Sequence, residues 1–324
     1  MHILITGAGG MLGARLARSL AADPPEGLAR LTLGDLAAPP VPPGAPVETV
    51  AAALDVADAA AVAARIAARP DVIFHLAAVV SGEAEADFDK GWRVNFDGTR
   101  ALLEAIRAQP DYRPRVILAS SIAVFGAPFP PSIPDDFHCT PLTSYGAQKA
   151  MGELMLADYA RRGFLDGIGL RLPTICIRPG APNKAASGFF SSILREPLAG
   201  RPAVLPVSED VRHWHASPRA AIGFFRHALA MDLAALGPRP NLTLPGLSAT
   251  VGEQIEALRR AAGDRAVALI RREPDPAIQR IVDGWATRFD AARAEALGFR
   301  AETSFDAIIA AHLEDEATAA RAPA

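Results

Sequence analysis

A series of short apolar runs that do not alternate with polar residues constrains this chain most. His2 to Thr6, Leu31 to Asp35, Val72 to Leu76, Arg115 to Ser120 and Ile168 to Leu172 read as strands. Strands apolar on both faces are buried on both faces. Helical patterns lie between them: Met11 to Ala21, Ala57 to Arg69 with Val62 and Ile66 on one side, Phe88 to Gln109, and Thr143 to Arg161. Val47 to Val50 adds a strand ending near Asp55, after a proline-rich loop at residues 39–46. Strand and helix in alternation predict a parallel sheet covered on both faces, the doubly wound α/β architecture.

Beyond Pro173 the pattern weakens. Residues 178–206 are rich in Pro and Gly, with a short helix at Phe189 to Leu194. Helices are expected at Ser217 to Met231, Val251 to Ala262 and Phe289 to Leu297, and a strand at Asn241 to Leu244. The end of the chain, from about residue 315, reads as loose.

Gly7-x-x-Gly10-x-x-Gly13 follows the first strand and opens the first helix. Glycines there permit a tight turn and let the backbone approach a pyrophosphate, which the helix N-terminus attracts. Met11 and Leu12 share that turn. Asp35 ends the second strand, where a carboxylate accepts from adenosine ribose hydroxyls and repels a 2′-phosphate. With no Arg directly after it, NAD is favoured over NADP. Asp55 and Val56 are expected near the adenine, though Asp55 also reads as a helix cap. The domain expectation is therefore residues 1–173 for the dinucleotide, with a returning segment near 207–245. A smaller substrate-binding cap is expected from 174–206 and 246–324.

Tyr145 and Lys149 stand four apart on a helix, hence on one face. A cation beside a phenol favours phenolate and eases its use as a base. Ser120-Ser121 closes the strand just before. Taken in order with the glycine loop, these signals describe an enzyme that moves hydride.

Further runs join these motifs: His75-Leu76-Ala77-Ala78, Val94-Asn95-Phe96-Asp97-Gly98-Thr99 and Ser120-Ser121-Ile122-Ala123-Val124-Phe125-Gly126. Together they resemble the extended short-chain dehydrogenase/reductase family, over about the first 180 residues and in the family's order. The resemblance implies a Rossmann domain with NAD, Tyr145 as general acid/base, and Lys149 on the nicotinamide ribose. It implies that Ser121 binds the reacting oxygen and that Asn95 orients its helix and a water path to Lys149. Leu76, Ala77, Ala78, Leu172 and Pro173 would line the cofactor. A homodimer built on helices 88–109 and 143–161 is implied too.

Departures narrow the reaction. Where dehydratases of the family carry an acid pair, this chain has Ile122 and Ala123. The second-half segment of sugar-nucleotide enzymes is here Arg212-His213-Trp214-His215-Ala216, without its acidic residues. Runs such as Ser81-Gly82-Glu83-Ala84-Glu85-Ala86-Asp87-Phe88 and Arg171-Leu172-Pro173-Thr174 are similar to a branch of the family that oxidises small sugar acids. That likeness implies NAD-dependent oxidation of a four-carbon sugar acid at C2. Ser81, Ser121, Tyr145, Thr174, Asn183 and Arg212 are the candidates for holding it. A sugar-nucleotide 4-epimerase, a dehydrogenase of another small hydroxy acid and a non-catalytic NAD sensor stay open as alternatives.

The remaining features are expected to do less. With 33 basic and 36 acidic residues the net charge is −3, which offers nothing to nucleic acid or an anionic membrane. Cys139 and Cys176 are too few and too far apart for a disulfide framework or a metal cluster, and read as free thiols in the cytoplasm. No apolar run reaches membrane-span length, and the first residues lack a signal-peptide layout. His138 reads as a loop residue, His75 as a satisfied core residue, His213 and His215 as packing, and Trp285 as an anchor.

Overall fold

The computed structural model describes residues 1–45, 47–180 and 186–321. The chain divides into two units. The first comprises residues 1–124, 139–172 and 222–243, and the second residues 125–138, 173–221 and 244–324.

The first unit is a seven-stranded parallel sheet. Its strands are β1 (His2–Thr6), β2 (Arg30–Asp35), β3 (Glu48–Ala53), β4 (Val72–His75), β5 (Arg115–Ser121), β6 (Asp166–Leu172) and the strand Asn241–Thr243. Their order is Asn241–Thr243, β6, β5, β4, β1, β2, β3, every pair parallel. The chain starts at β1 in the sheet interior and winds outward both ways, so the ends of β1 and β4 flank the switch point where such folds bind ligands. Ile3, Leu4, Ile5, Ile73 and Phe74 are essentially inaccessible, as continuous apolar runs require.

The helices of this unit are α1 (Met11–Ala22), α2 (Ala59–Ile66), α3 (Ser81–Ala86), α4 (Phe88–Gly91), α5 (Gly98–Arg107) and α6 (Ser144–Arg161). The expected single helix from Phe88 to Gln109 is interrupted. Between α4 and α5 the turns widen to π-helix over Trp92–Asp97. Asn95 lies within that stretch; its Oδ1 accepts from Val79 N at 2.9 Å and its Nδ2 donates to Gln148 Oε1 at 2.8 Å. A π-turn of this kind marks functional sites more often than chance. α3 was not anticipated, because Ser81–Ala86 is too short to show a period.

The second unit has small sheets. Arg212–Ala216 pairs antiparallel with Leu247–Thr250 and parallel with Thr174–Ile175. Ala203–Leu205 pairs with Ile270–Arg272. Its core includes Phe190, Ile193, Leu194, Ile255, Leu258, Phe305 and Ile308. Two expectations change here. Phe289 to Leu297 is helical only at Ala292–Ala296, and Phe289 forms a strand bridge to Ile133. The stretch expected to be loose from about residue 315 is helical as far as Arg321, where it continues the helix Phe305–Arg321 anchored by buried Phe305, Ile308 and Ile309. The helix from Val251 breaks at Gly263, whose φ is +76°, just past the expected end at Ala262, and helix resumes beyond it to Val267.

Candidate active site

The glycine loop is built for close approach. Gly7 has φ +74°, and a Cβ there would come within 2.6 Å of Ala77 N at the end of β4. A Cβ on Gly13 would come within 2.1 Å of Gly7 O. Neither position admits a side chain, so α1 begins pressed against the strand ends. Gly10 caps α1, and Ala14 N donates to its carbonyl at 2.8 Å. That leaves the amides of Met11, Leu12 and Gly13 without partners inside the helix, at its positive end. No acidic residue lies in this first turn to compete for them.

Asp35 ties the loop to the sheet. Its Oδ2 accepts from Gly9 N at 2.8 Å and its Oδ1 from Leu36 N at 2.7 Å. Asp55 accepts from Ala57 N, whereas Asp58 caps α2 through Ala60 and Ala61. Val56 is buried and packs in the core with Leu54 and Leu102. Leu76 and Ala77 are half-buried and Ala78 is exposed. A cradle closed to any Cβ, a helix N-terminus and a carboxylate at the end of β2 fit the pyrophosphate and ribose of a dinucleotide.

At the start of α6, Thr143 caps the helix by accepting from Gly146 N at 3.1 Å. A Cβ on Gly146 would lie 2.2 Å from Ala123 O, so the helix meets the turn after β5 at close range. That turn carries Ser121, half-buried, whose Oγ accepts from Ala123 N at 3.1 Å. Tyr145 is half-buried, and the Lys149 Nζ lies 5.7 Å from its ring centroid. Lys149 is buried and donates from Nζ to Ala119 O at 2.9 Å. Burial lowers the Lys149 ammonium to a pKa of about 8, with the Glu153 carboxylate acting the other way. The first unit thus brings together Ser121, Tyr145 and Lys149, and the Asn95–Gln148 bond fastens the π-turn to the same helix.

His75 is satisfied: Nδ1 bonds Thr6 Oγ1 at 2.8 Å and Nε2 bonds Thr99 Oγ1 at 3.0 Å. Burial, helped by the Lys149 charge, drops its pKa to about 3. It is a neutral member of the core.

Ser81 opens α3 and is half-buried. Thr174 and Arg212 lie in the second unit. Thr174 Oγ1 bonds His213 Nε2 at 2.7 Å. His213 Nδ1 lies 3.0 Å from Ala286 O, a carbonyl that only accepts, so Nδ1 donates and Nε2 accepts from Thr174. Arg212 NH1 donates to Ser248 O at 3.0 Å and approaches Glu253 at 3.3 Å. Asn183 lies outside the described residues.

Glu153, Arg171 and Gln148 were missed in sequence. A carboxylate four residues after Lys149, on the same helical face, was the available signal. Among the described residues no group of three His, Cys, Asp or Glu side chains is placed to hold a metal ion, and no helix is long and apolar enough to cross a membrane.

Comparison with known proteins adds the following. The NAD dependent epimerase/dehydratase family matches residues 3–216. The chain is 47% identical over 322 residues to a D-erythronate dehydrogenase from Cupriavidus necator, covering 97% of this chain and 98% of that one. It is 42% identical over 314 residues to a D-erythronate dehydrogenase from Haemophilus influenzae, covering 97% and 99%. The solved structure of the nucleoside-diphosphate-sugar epimerase from Agrobacterium tumefaciens superposes with a TM-score of 0.95 at 60% identity, covering 98% of this chain and 95% of that one.

Proposed function

The chain belongs to the NAD dependent epimerase/dehydratase family and is an NAD-dependent oxidoreductase, and from this premise we propose that it oxidises D-erythronate at C2 to 2-oxo-tetronate. The observation that carries the proposal is the pair of relatives of that name, matched along nearly the whole chain. The residue chemistry supports it. Ile122 and Ala123 offer no second acid/base pair for eliminating water, which leaves Tyr145 as the proton acceptor.

Bound NAD supplies the two-electron acceptor for the C2 hydrogen. Tyr145, as phenolate, takes the proton of the C2 hydroxyl. Lys149 lowers the cost of that phenolate by placing a buried cation against the ring. Ser121 donates to the same substrate oxygen, where charge develops as the carbonyl forms. The remaining hydroxyls and the carboxylate are assigned to Ser81, Thr174, Asn183 and Arg212. Arg212 suits a carboxylate, since a guanidinium offers five donors and only some are engaged by Ser248 and Glu253. On the cofactor, Gly7, Gly10, Gly13 and the amides of Met11 and Leu12 hold the pyrophosphate, and Asp35 the ribose. The nicotinamide half falls to Leu76, Ala77, Ala78, Asn95, Leu172 and Pro173, and the adenine to Asp55 and Val56.

The same reading makes the protein a cytoplasmic homodimer. Phe88, Leu142 and Leu154, on or next to α4 and α6, are 57%, 71% and 70% exposed, apolar side chains that a second copy would cover.

A 4-epimerase is the second reading, favoured by the name of the 60% identical Agrobacterium structure. One assay separates them. Purified protein is mixed with NAD and D- or L-erythronate, D- or L-threonate, or a sugar nucleotide, and NADH absorbance and product are followed. NADH with D-erythronate is expected. NADH with another acid alone would discard the substrate, and sugar-nucleotide conversion without NADH would move the assignment to the epimerase.

A further inference from the structure

One turn beyond Lys149 on α6, Glu153 is 2% exposed and its carboxylate is gripped from two strands. Ser120 Oγ donates to Oε1 at 2.5 Å. Arg171 Nε lies 3.1 Å from each carboxylate oxygen, and NH2 donates to Oε2 at 2.8 Å. Ser120 and Arg171 are register partners on β5 and β6. Ala119, which accepts the Lys149 ammonium, directly precedes Ser120. Helix residues 149 and 153 therefore bond consecutive residues of one strand.

Stability gives no reason for charges here. Desolvating a buried pair can outweigh its attraction, and well-packed apolar residues serve as well. The pair does put a fixed carboxylate one turn from the ammonium, in a medium where charges act strongly.

We propose that Glu153 is a positioning residue for Lys149. Clamped by Arg171 and Ser120, it sets the seating of α6 on β5 so that the ammonium meets Ala119 O, and it keeps that ammonium protonated beside Tyr145. This rests on the role given to Lys149 above. The ionisable groups set around Lys149 are Tyr145 and Glu153 on α6, Arg171 on β6, the neutral His75 on β4, and Cys139. The Cys139 Sγ lies 3.6 Å from Arg171 NH2, and burial pushes its thiol up. Neutralising Glu153 removes the carboxylate that favours the charged lysine.

The chain has three lysines, Lys90, Lys149 and Lys184, so its ammonium titrations are resolvable one by one. Full-length protein labelled with 13C at lysine Cε is titrated by NMR, the Lys149 signal being the one lost in Lys149→Met. In Glu153→Gln the Lys149 midpoint is expected to fall by about one pH unit, and the acid limb of kcat to rise by a similar amount. Glu153→Asp keeps the charge but draws it back. It should show an intermediate midpoint and a kcat loss of about tenfold with KM unchanged. An unchanged midpoint in folded Glu153→Gln overturns the proposal. If that variant does not fold, a wild-type midpoint and kcat in Glu153→Asp overturn it equally. Should Lys149→Met turn over like wild type, the role of Lys149 has failed; if only the Glu153 variants are silent, this inference alone has.

Discussion

In the sheet unit, buried polar side chains include full charges held in pairs: Glu153 with Arg171 and Ser120, and Lys149 on a strand carbonyl. In the second unit, the buried polar centre on the strand Arg212–Ala216 is neutral histidine. His213 sits between Thr174 and Ala286 O, stacked on Phe190 with ring centroids 5.5 Å apart. His215 bonds Gln254 at 3.2 Å and meets Phe305 edge-on. Burial takes His213 down to a pKa of about 4 and His215 well below its ordinary value. The difference teaches that the two buried polar centres are built for different ends. On α6 the fold keeps charge beside Tyr145, where the proposed proton transfer takes place; on Arg212–Ala216 polar rings serve shape and hydrogen-bond geometry.

The comparison breaks first at Tyr145. If the sheet unit carries the proton transfer, Tyr145→Phe lowers kcat by about a thousandfold while NAD affinity stays within about twofold. Steady-state turnover and NAD titration check this, and surviving activity would remove the mechanism.

The histidines give the next largest effect, through pH. A histidine whose folded pKa is depressed binds fewer protons folded than unfolded. Its contribution is complete above the ordinary value of 6.5 and is lost as pH falls through the folded value. For His213 the window runs from 6.5 to about 4, worth about 3 kcal/mol. His75 in the sheet unit extends the loss toward about 3. Urea midpoints between pH 7 and 4 should therefore fall steadily, and His213→Gln should flatten that slope. An equal slope in the variant would mean that His213 is not held neutral.

The smallest effect sharpens the second unit alone. Thr250 and Glu253 form a capping box at the start of the helix from Val251, with Thr250 Oγ1 accepting from Glu253 N at 3.0 Å. Thr250→Ala should cost about 1 kcal/mol in urea unfolding and leave kcat unchanged. A kcat loss in this variant would show that Arg212, which approaches Glu253, depends on that corner for its function.

Much of the sheet unit was legible because its signals are local. Continuous apolar runs give parallel strands, and the glycine triplet marks the single place where α1 meets the ends of β1 and β4. Tyr145 and Lys149 share a helical face at any position in space. The second unit was less legible. Its strands are two to five residues long, and pairings such as Thr174 with His215 span far more sequence than any period can report. The stretch from about residue 315 read as a loose end because the helix it continues, Phe305–Arg321, is anchored by burial against partners elsewhere in that unit.

The sequence by itself determined the alternation of strand and helix in the first half, the glycine turn at the head of α1 and the shared helical face of Tyr145 and Lys149, since each depends on neighbours within a few residues. Only the tertiary structure decided what stands behind them. The π-turn at Asn95, the grip of Arg171 and Ser120 on Glu153, and the proton placement between Thr174 and His213 arise where separate strands and helices meet. Burial there removes water as a partner, so each polar atom must find one in the fold.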